Sequence, residues 1–302
     1  MNRFFNDIKE SFKEGNFLTR LIYINIGLFV VLKLTHLVFT YMDMPTDWLD
    51  WAKVPASLPK LVDQPWSVLT YMFLHTDFIH AIFNLIALYY LGRLFLFYYN
   101  QKQLIAVYLW GGLAGAFFYL AGFNLIPYFK SYIETNYLLG ASASIMAILF
   151  ASVGYAPNNP VRLALIGEVK LKYLGFIFLT IDILGLNSLN PGGALSHLGG
   201  ACMGFLFGAC YQNGHDLSKP ITAIIDWIVN NWPTNKKHKK FKVKVNDSRN
   251  MSDAQWNRQQ KEREKIRQER IDQILEKIKK SGYQNLTAEE KKSLFDLSKK
   301  EE

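Results

Sequence analysis

LLGASASIMAILFAS, residues 138–152, is an apolar run with a glycine third and only serines to interrupt it. Ser142 stands beside Gly140 at its start, and Ser144 and Ser152 follow. Apolar runs fill the chain up to about Gly214, and several reach the roughly 18 residues that cross a hydrocarbon core as a helix. From about Pro233 onward Lys, Arg, Glu and Gln dominate. The whole-chain figures, 302 residues with 50% hydrophobic, 15% aromatic and 20% charged, average over that division and by themselves would suit a soluble protein.

Working outward from 138–152, six spans are expected. They cover about 21–42, 67–94, 104–125, 140 to just before Pro157, 173–189 and 193–211. Basic residues near the span ends orient them: Arg3, Lys9, Lys13 and Arg20 precede the first, and Arg93 and Lys102 separate the second and third. Arg162, Lys170 and Lys172 separate the fourth and fifth, and a dense basic run begins at Lys236. Both termini are therefore expected in the cytoplasm, in agreement with an even span count. The mixed-charge start MNRFFNDIKESFKEGNF lacks the features of a signal peptide, so the first span is expected to be retained as an anchor.

The expected architecture is an all-α membrane protein: a cytoplasmic segment 1–20, a six-transmembrane-helix bundle 21–212, an interfacial helix and basic linker 213–250, and a small soluble helical hairpin 251–302. PITAIIDWIVNNW (220–232) reads as an amphipathic helix on the membrane surface, with Ile221, Ile224, Ile225 and Ile228 on one face. VRLALIGEVKLK (161–172) carries Glu168, Lys170 and Lys172, which are costly in lipid, and is expected at the cytoplasmic interface. The net charge of +9 comes largely from the tail. Anionic lipid is a sufficient partner for it, and no nucleic acid is implied. Cys202 and Cys210 are too far apart on one helix to form a disulfide.

The polar residues inside the apolar runs carry the chemistry. YMFLHTDFIHAIFNLIALYYLG (71–92) places His75, His80 and Asn84 in the first half of the second span. ALSHLGGACMGFLFG (194–208) places His197 near the start of the sixth. Spans two, four and six run in the same direction, so these residues and Ser142 share one depth near the outer leaflet. A serine needs a base to take its proton, and histidine is the usual one. The oxyanion of acyl transfer needs preorganised donors, which Asn, His and backbone N–H groups supply. No carboxylate is expected at the same depth, so a Ser–His dyad is expected. Asp182 in the fifth span is read as deeper and further inward, bonded to a neighbouring helix, with tuning of the site as the lesser alternative. Gly200, Gly204 and Gly208 form one small-residue stripe and Ala143, Ala147 and Ala151 another, which would draw the fourth and sixth spans together. Ser144 and Ser152 are read as helix-packing residues.

These residues resemble the motifs of rhomboid proteases. Gly140-Ala141-Ser142 is similar to their G-x-S motif, His197 with Gly200 and Gly204 to their histidine motif, and His75, His80 and Asn84 to their H-x4-H-x3-N motif. The resemblance covers about 20–212 and implies a six-helix core in which Ser142 is the nucleophile and His197 the base. It further implies an oxyanion hole of His80, Asn84 and the Ser142 N–H, with His75 in support. The implied substrates are transmembrane proteins that enter past the fifth span and are cut after a small residue. No metal or cofactor is implied, and the bacterial inner membrane is the implied location. Ala143 stands where the family usually has Gly, Met146 where an aromatic is common, Ser196 where Ala is common, and Ser67 where an Arg often follows Trp. The rival reading is a non-catalytic relative that binds membrane clients. A transporter or channel fits less well, because the polar residues cluster at one depth.

Overall fold

A computed structural model describes residue 12, residues 15–163, 167–186 and 190–231, and a few positions beyond. The chain divides into two units, Met1–Trp232 and Pro233–Glu302. The basic linker and most of the expected hairpin 251–302 lie outside the described residues.

In the first unit, helices form at each of the six expected segments: α1 (Phe17–Tyr41), α4 (Phe78–Tyr98), α5 (Gln101–Leu125), α6 (Ser142–Tyr155), α7 (Leu171–Gly185) and α8 (Pro191–Gln212). Short helices α2 (Leu58–Asp63) and α3 (Ser67–Thr70) precede α4, and α9 (Lys219–Asn231) follows α8. Helices α1, α4, α5 and α8 are long and apolar enough to cross a membrane. Their outer faces show why lipid is needed: α4 alone exposes Phe78, Ile79, Phe83, Ile86, Tyr90 and Phe97. Water does not tolerate an apolar surface of that extent on a monomeric fold, and a bilayer does. The chain is a membrane protein.

Helix α6 is the centre of the bundle. Every residue from Ala143 to Gly154 is buried. Its 14 residues extend about 21 Å at 1.5 Å per residue, short of a hydrocarbon core of about 30 Å. Helices α5 and α8 enclose it through glycines. A Cβ on Gly200 would collide with the Ala143 carbonyl, on Gly204 with the Ala147 carbonyl, and on Gly208 with the Ala151 carbonyl. The glycine stripe of α8 thus lies on the alanine stripe of α6, turn for turn, with the backbones in direct contact. On the other side Gly111 of α5 meets the Ala147 methyl.

The second expected span begins later than its apolar run. Backbone helix ends at Thr70, a 3-10 turn covers Tyr71–Phe73, and the chain is extended at Leu74 before α4 starts at Phe78. The interruption is satisfied locally. The Tyr71 hydroxyl donates to the Gly112 carbonyl at 2.6 Å, the Tyr108 hydroxyl donates to the Met72 carbonyl at 2.6 Å, and the Gly140 N–H donates to the Tyr71 carbonyl at 3.0 Å. Segment 160–170 also differs from a simple interfacial stretch. It forms an antiparallel hairpin of β3 (Pro160–Leu163) and β4 (Gly167–Lys170), in register Val161 to Val169 and Arg162 to Glu168. Pairing supplies the backbone partners that a helix would otherwise provide, and it leaves Glu168 and Lys170 exposed.

The long connection before α4 is pinned beside the start of α6. Its β1 (Val54–Pro55) pairs with β2 (Tyr137–Leu138), the Asn124 amide donates to the Ala56 carbonyl at 2.9 Å, and Lys60 bridges Glu134 at 3.1 Å. Trp66 donates to the Trp51 carbonyl at 2.8 Å and stacks on its ring. Helix α9 is tied back to α5 through Lys102 and Asp226 at 2.9 Å, and it exposes Ile224, Trp227 and Ile228.

Candidate active site

Ser142 is the first residue of α6 and is half-buried. The first backbone bond of this helix runs from the Ile145 N–H to the Ala141 carbonyl. The N–H groups of Ser142, Ala143 and Ser144 therefore have no acceptor within the helix, and such helix starts attract negative charge. The Ala141 side chain cannot cap them, so that end stays open.

Gly140 turns the chain into α6 with φ at +121°, a conformation open to glycine and strained for other residues. A Cβ there would stand 3.2 Å from His80 Cε1 and 3.7 Å from Ser142 Oγ. The His80 ring and the Ser142 hydroxyl thus face one small space, which the missing side chain of Gly140 keeps open.

His80 reaches that space because Asp77 caps α4. The Asp77 carboxylate accepts from the His80 backbone N–H at 2.6 Å, which places the ring in the first helical turn. His75 is buried, and its ring meets that of His80 edge-on at 5.8 Å. Asn84 lies one turn further along the same face of α4. It is buried, and its Nδ2 has no hydrogen-bond partner among the described residues. A buried amide N–H without a partner is costly and marks a place where another acceptor belongs.

His197 lies in the second turn of α8, one turn before Gly200, where α8 packs on the Ala143 carbonyl of α6. Its Nδ1 is 2.6 Å from Asp182 Oδ1. This corrects the expectation that no carboxylate reaches the base. The fifth helix ends at Gly185 instead of near 189, so Asp182 occupies its last turn, and the antiparallel start of α8 brings His197 alongside. The signal in the sequence was an ionisable residue in an apolar helix, which is rarely without purpose. Its depth was misjudged because the helix end was placed too late.

The structure thus gathers His75, His80, Gly140 and Ser142, links His197 to Asp182, and sets Asn84 one turn from His80. Residues adjoining Ser142 and His197 are also packed together. A Cβ on Gly115 of α5 would stand 2.6 Å from the Ala143 methyl and 2.6 Å from Ser196 Oγ. The Ala143 methyl, where a glycine is usual, therefore points into a notch that Gly115 leaves open. Met146 is buried in one apolar cluster with Ala201, Leu149 and Leu171.

That notch makes a double-mutant cycle informative. Gly115→Ala is expected to destabilise the protein by about 1–3 kcal/mol through overpacking. Adding Ala143→Gly should recover part of the loss, with a coupling of about 0.5–3 kcal/mol between contacting sites. Thermal unfolding of the four proteins in detergent measures it, and additive losses would contradict the contact.

Comparison with known proteins agrees with this architecture. The rhomboid domain matches residues 62–213, half of the chain. A family of unknown function (DUF6576) matches residues 253–300. RHOMBOID-like protein 12, mitochondrial, of Arabidopsis thaliana is 26% identical over 157 residues, 49% of this chain and 47% of that protein. The chain spans about half the length of this curated relative. A rhomboid domain over half of the chain, with the bundle and motif residues arranged as above, shows that the chain belongs to the rhomboid family.

Proposed function

We propose that the chain is an intramembrane serine endopeptidase that cuts transmembrane proteins near their outer end. Ser142 is the nucleophile and His197 the base. The observation that carries this reading is the placement of Ser142 at the uncapped start of α6, with His80 across the Gly140 gap and α8, which bears His197, packed on the same turn of α6 through Gly200 and Ala143.

Ser142 Oγ attacks the scissile carbonyl carbon while His197 Nε2 takes the hydroxyl proton. The carbonyl oxygen becomes an oxyanion, and the Ser142 N–H, Asn84 Nδ2 and the His80 ring supply donors to it. His197 returns the proton to the departing amine. A water molecule then attacks the acyl group, with His197 again as base, and Ser142 is regenerated. His75 supports the His80 ring. Substrate enters sideways past α7, a reading supported by that helix burying only Leu171, Gly175 and Asp182. The same reading gives the chain six spans, both termini in the cytoplasm, a bacterial inner-membrane location, and anionic lipid against the basic tail.

Co-reconstitution with model transmembrane substrates in liposomes tests the reading. Cleavage at one bond near the outer end, mapped by mass spectrometry, is the expected result. Intact substrate that co-purifies with folded wild-type protein would favour the client-binding alternative. Asn84→Ala is expected to lower kcat by about 10^2- to 10^3-fold, as for loss of one oxyanion donor, with KM little changed. An unchanged kcat would remove Asn84 from the oxyanion hole.

A further inference from the structure

Asp182 is the one acidic residue in helices α6, α7 and α8. It is nine-tenths buried. Its Oδ1 lies 2.6 Å from His197 Nδ1, and its Oδ2 has no hydrogen-bond partner among the described residues. Burying a carboxylate with a single partner is expensive, so the position is hard to explain by packing alone. The cost is offset if the single partner is a group that becomes positively charged.

The chemistry of the pair is directional. A carboxylate at this distance accepts a hydrogen from Nδ1, which leaves Nε2 of a neutral imidazole as a bare lone pair. The other tautomer would set two lone pairs against each other. Among neighbouring elements, α6 presents Ser142 at this end and its one ionisable side chain, Tyr155, at the other, α4 presents His80 with its backbone N–H capped by Asp77, and Lys102 of α5 lies at the far end of its helix.

We propose that Asp182 is a positioning residue for His197: it holds the Nδ1–H tautomer, leaves Nε2 free for the Ser142 proton, and stabilises the imidazolium formed on transfer. The working set is then Ser142, His197 and Asp182, with the third member supplied by a helix other than those bearing the first two. The proposal rests on the protease reading above for its consequence in catalysis, and on the hydrogen bond alone for its consequence in tautomer.

The test pairs cleavage kinetics with nitrogen NMR of protein labelled with 15N-histidine, the His197 signals being assigned by their loss in His197→Gln. Wild type should show His197 protonated at Nδ1 and bare at Nε2. Asp182→Asn offers an amide that donates to Nδ1, and it should reverse this pattern. It should also lower kcat by about 10^2- to 10^4-fold with little change in KM. Asp182→Glu should restore part of the activity and the wild-type tautomer. Wild-type kcat and an unchanged tautomer in Asp182→Asn would overturn the proposal. If Asp182→Asn fails to fold, the wild-type spectrum decides: His197 protonated at Nε2 overturns it as well. Wild type that cuts nothing yet shows the Nδ1–H tautomer lost in Asp182→Asn would instead sink the protease reading and keep the Asp182–His197 assignment.

Discussion

Ser142→Ala and His197→Ala are each expected to abolish cleavage, lowering kcat on the order of 10^4- to 10^6-fold; the unfolding temperature in detergent should change little in Ser142→Ala and fall in His197→Ala, which strips buried Asp182 of its partner. Ser142 is half-buried and its hydroxyl makes no hydrogen bond among the described residues, so its removal leaves no partner stranded. On the proposed mechanism the two residues act on one proton in one step. The double variant should therefore be no slower than either single one, a non-additivity that separates joint action from two independent contributions. Additive losses, or substantial activity in either variant, would show that the two side chains do not work together.

Gly200→Val is expected to have the next largest effect. Even a single Cβ at this position would collide with the Ala143 carbonyl, which is helix backbone and cannot turn aside. Relief requires α6 and α8 to separate at the turn that carries Ser142 and His197. Overpacking of this kind costs about 1–3 kcal/mol or more, and a displacement of about 1 Å between reacting groups costs about 10^2-fold in rate. Cleavage should fall at least that far even at temperatures where the variant is folded. Gly208→Val makes the same collision with Ala151 two helical turns from Gly200, so it should lower stability comparably with a smaller loss of kcat in the folded fraction. Equal losses of kcat from both would mean that the distance between α6 and α8 at the site does not govern the rate.

The long apolar runs made most helices legible, since period and length are written directly into composition. The two facing stripes, Gly200, Gly204 and Gly208 against Ala143, Ala147 and Ala151, were legible for the same reason: small residues four apart define one helix face. Helix ends were less so. The apolar run 67–94 gave no sign of the break at Tyr71–Phe73, because the hydrogen bonds that make it tolerable come from Gly112, Tyr108 and Gly140, distant in sequence. The hairpin 160–170 was missed because its pairing competes with a plain interfacial reading of the same charges. Asp182 shows how a boundary error propagates. Moving the end of α7 by a few residues shifted its depth and hid its bond to His197. Likewise the meaning of Ala143 depended on Gly115, which lies on another helix and is distant in sequence.

The most direct test of the central claim is labelling of the purified, detergent-solubilised protein by a serine-reactive fluorophosphonate, with wild type, Ser142→Ala and His197→Ala compared side by side. A single adduct on Ser142 is expected in wild type and none in either variant. Absence of labelling in folded wild-type protein, or labelling that persists in Ser142→Ala, would contradict it.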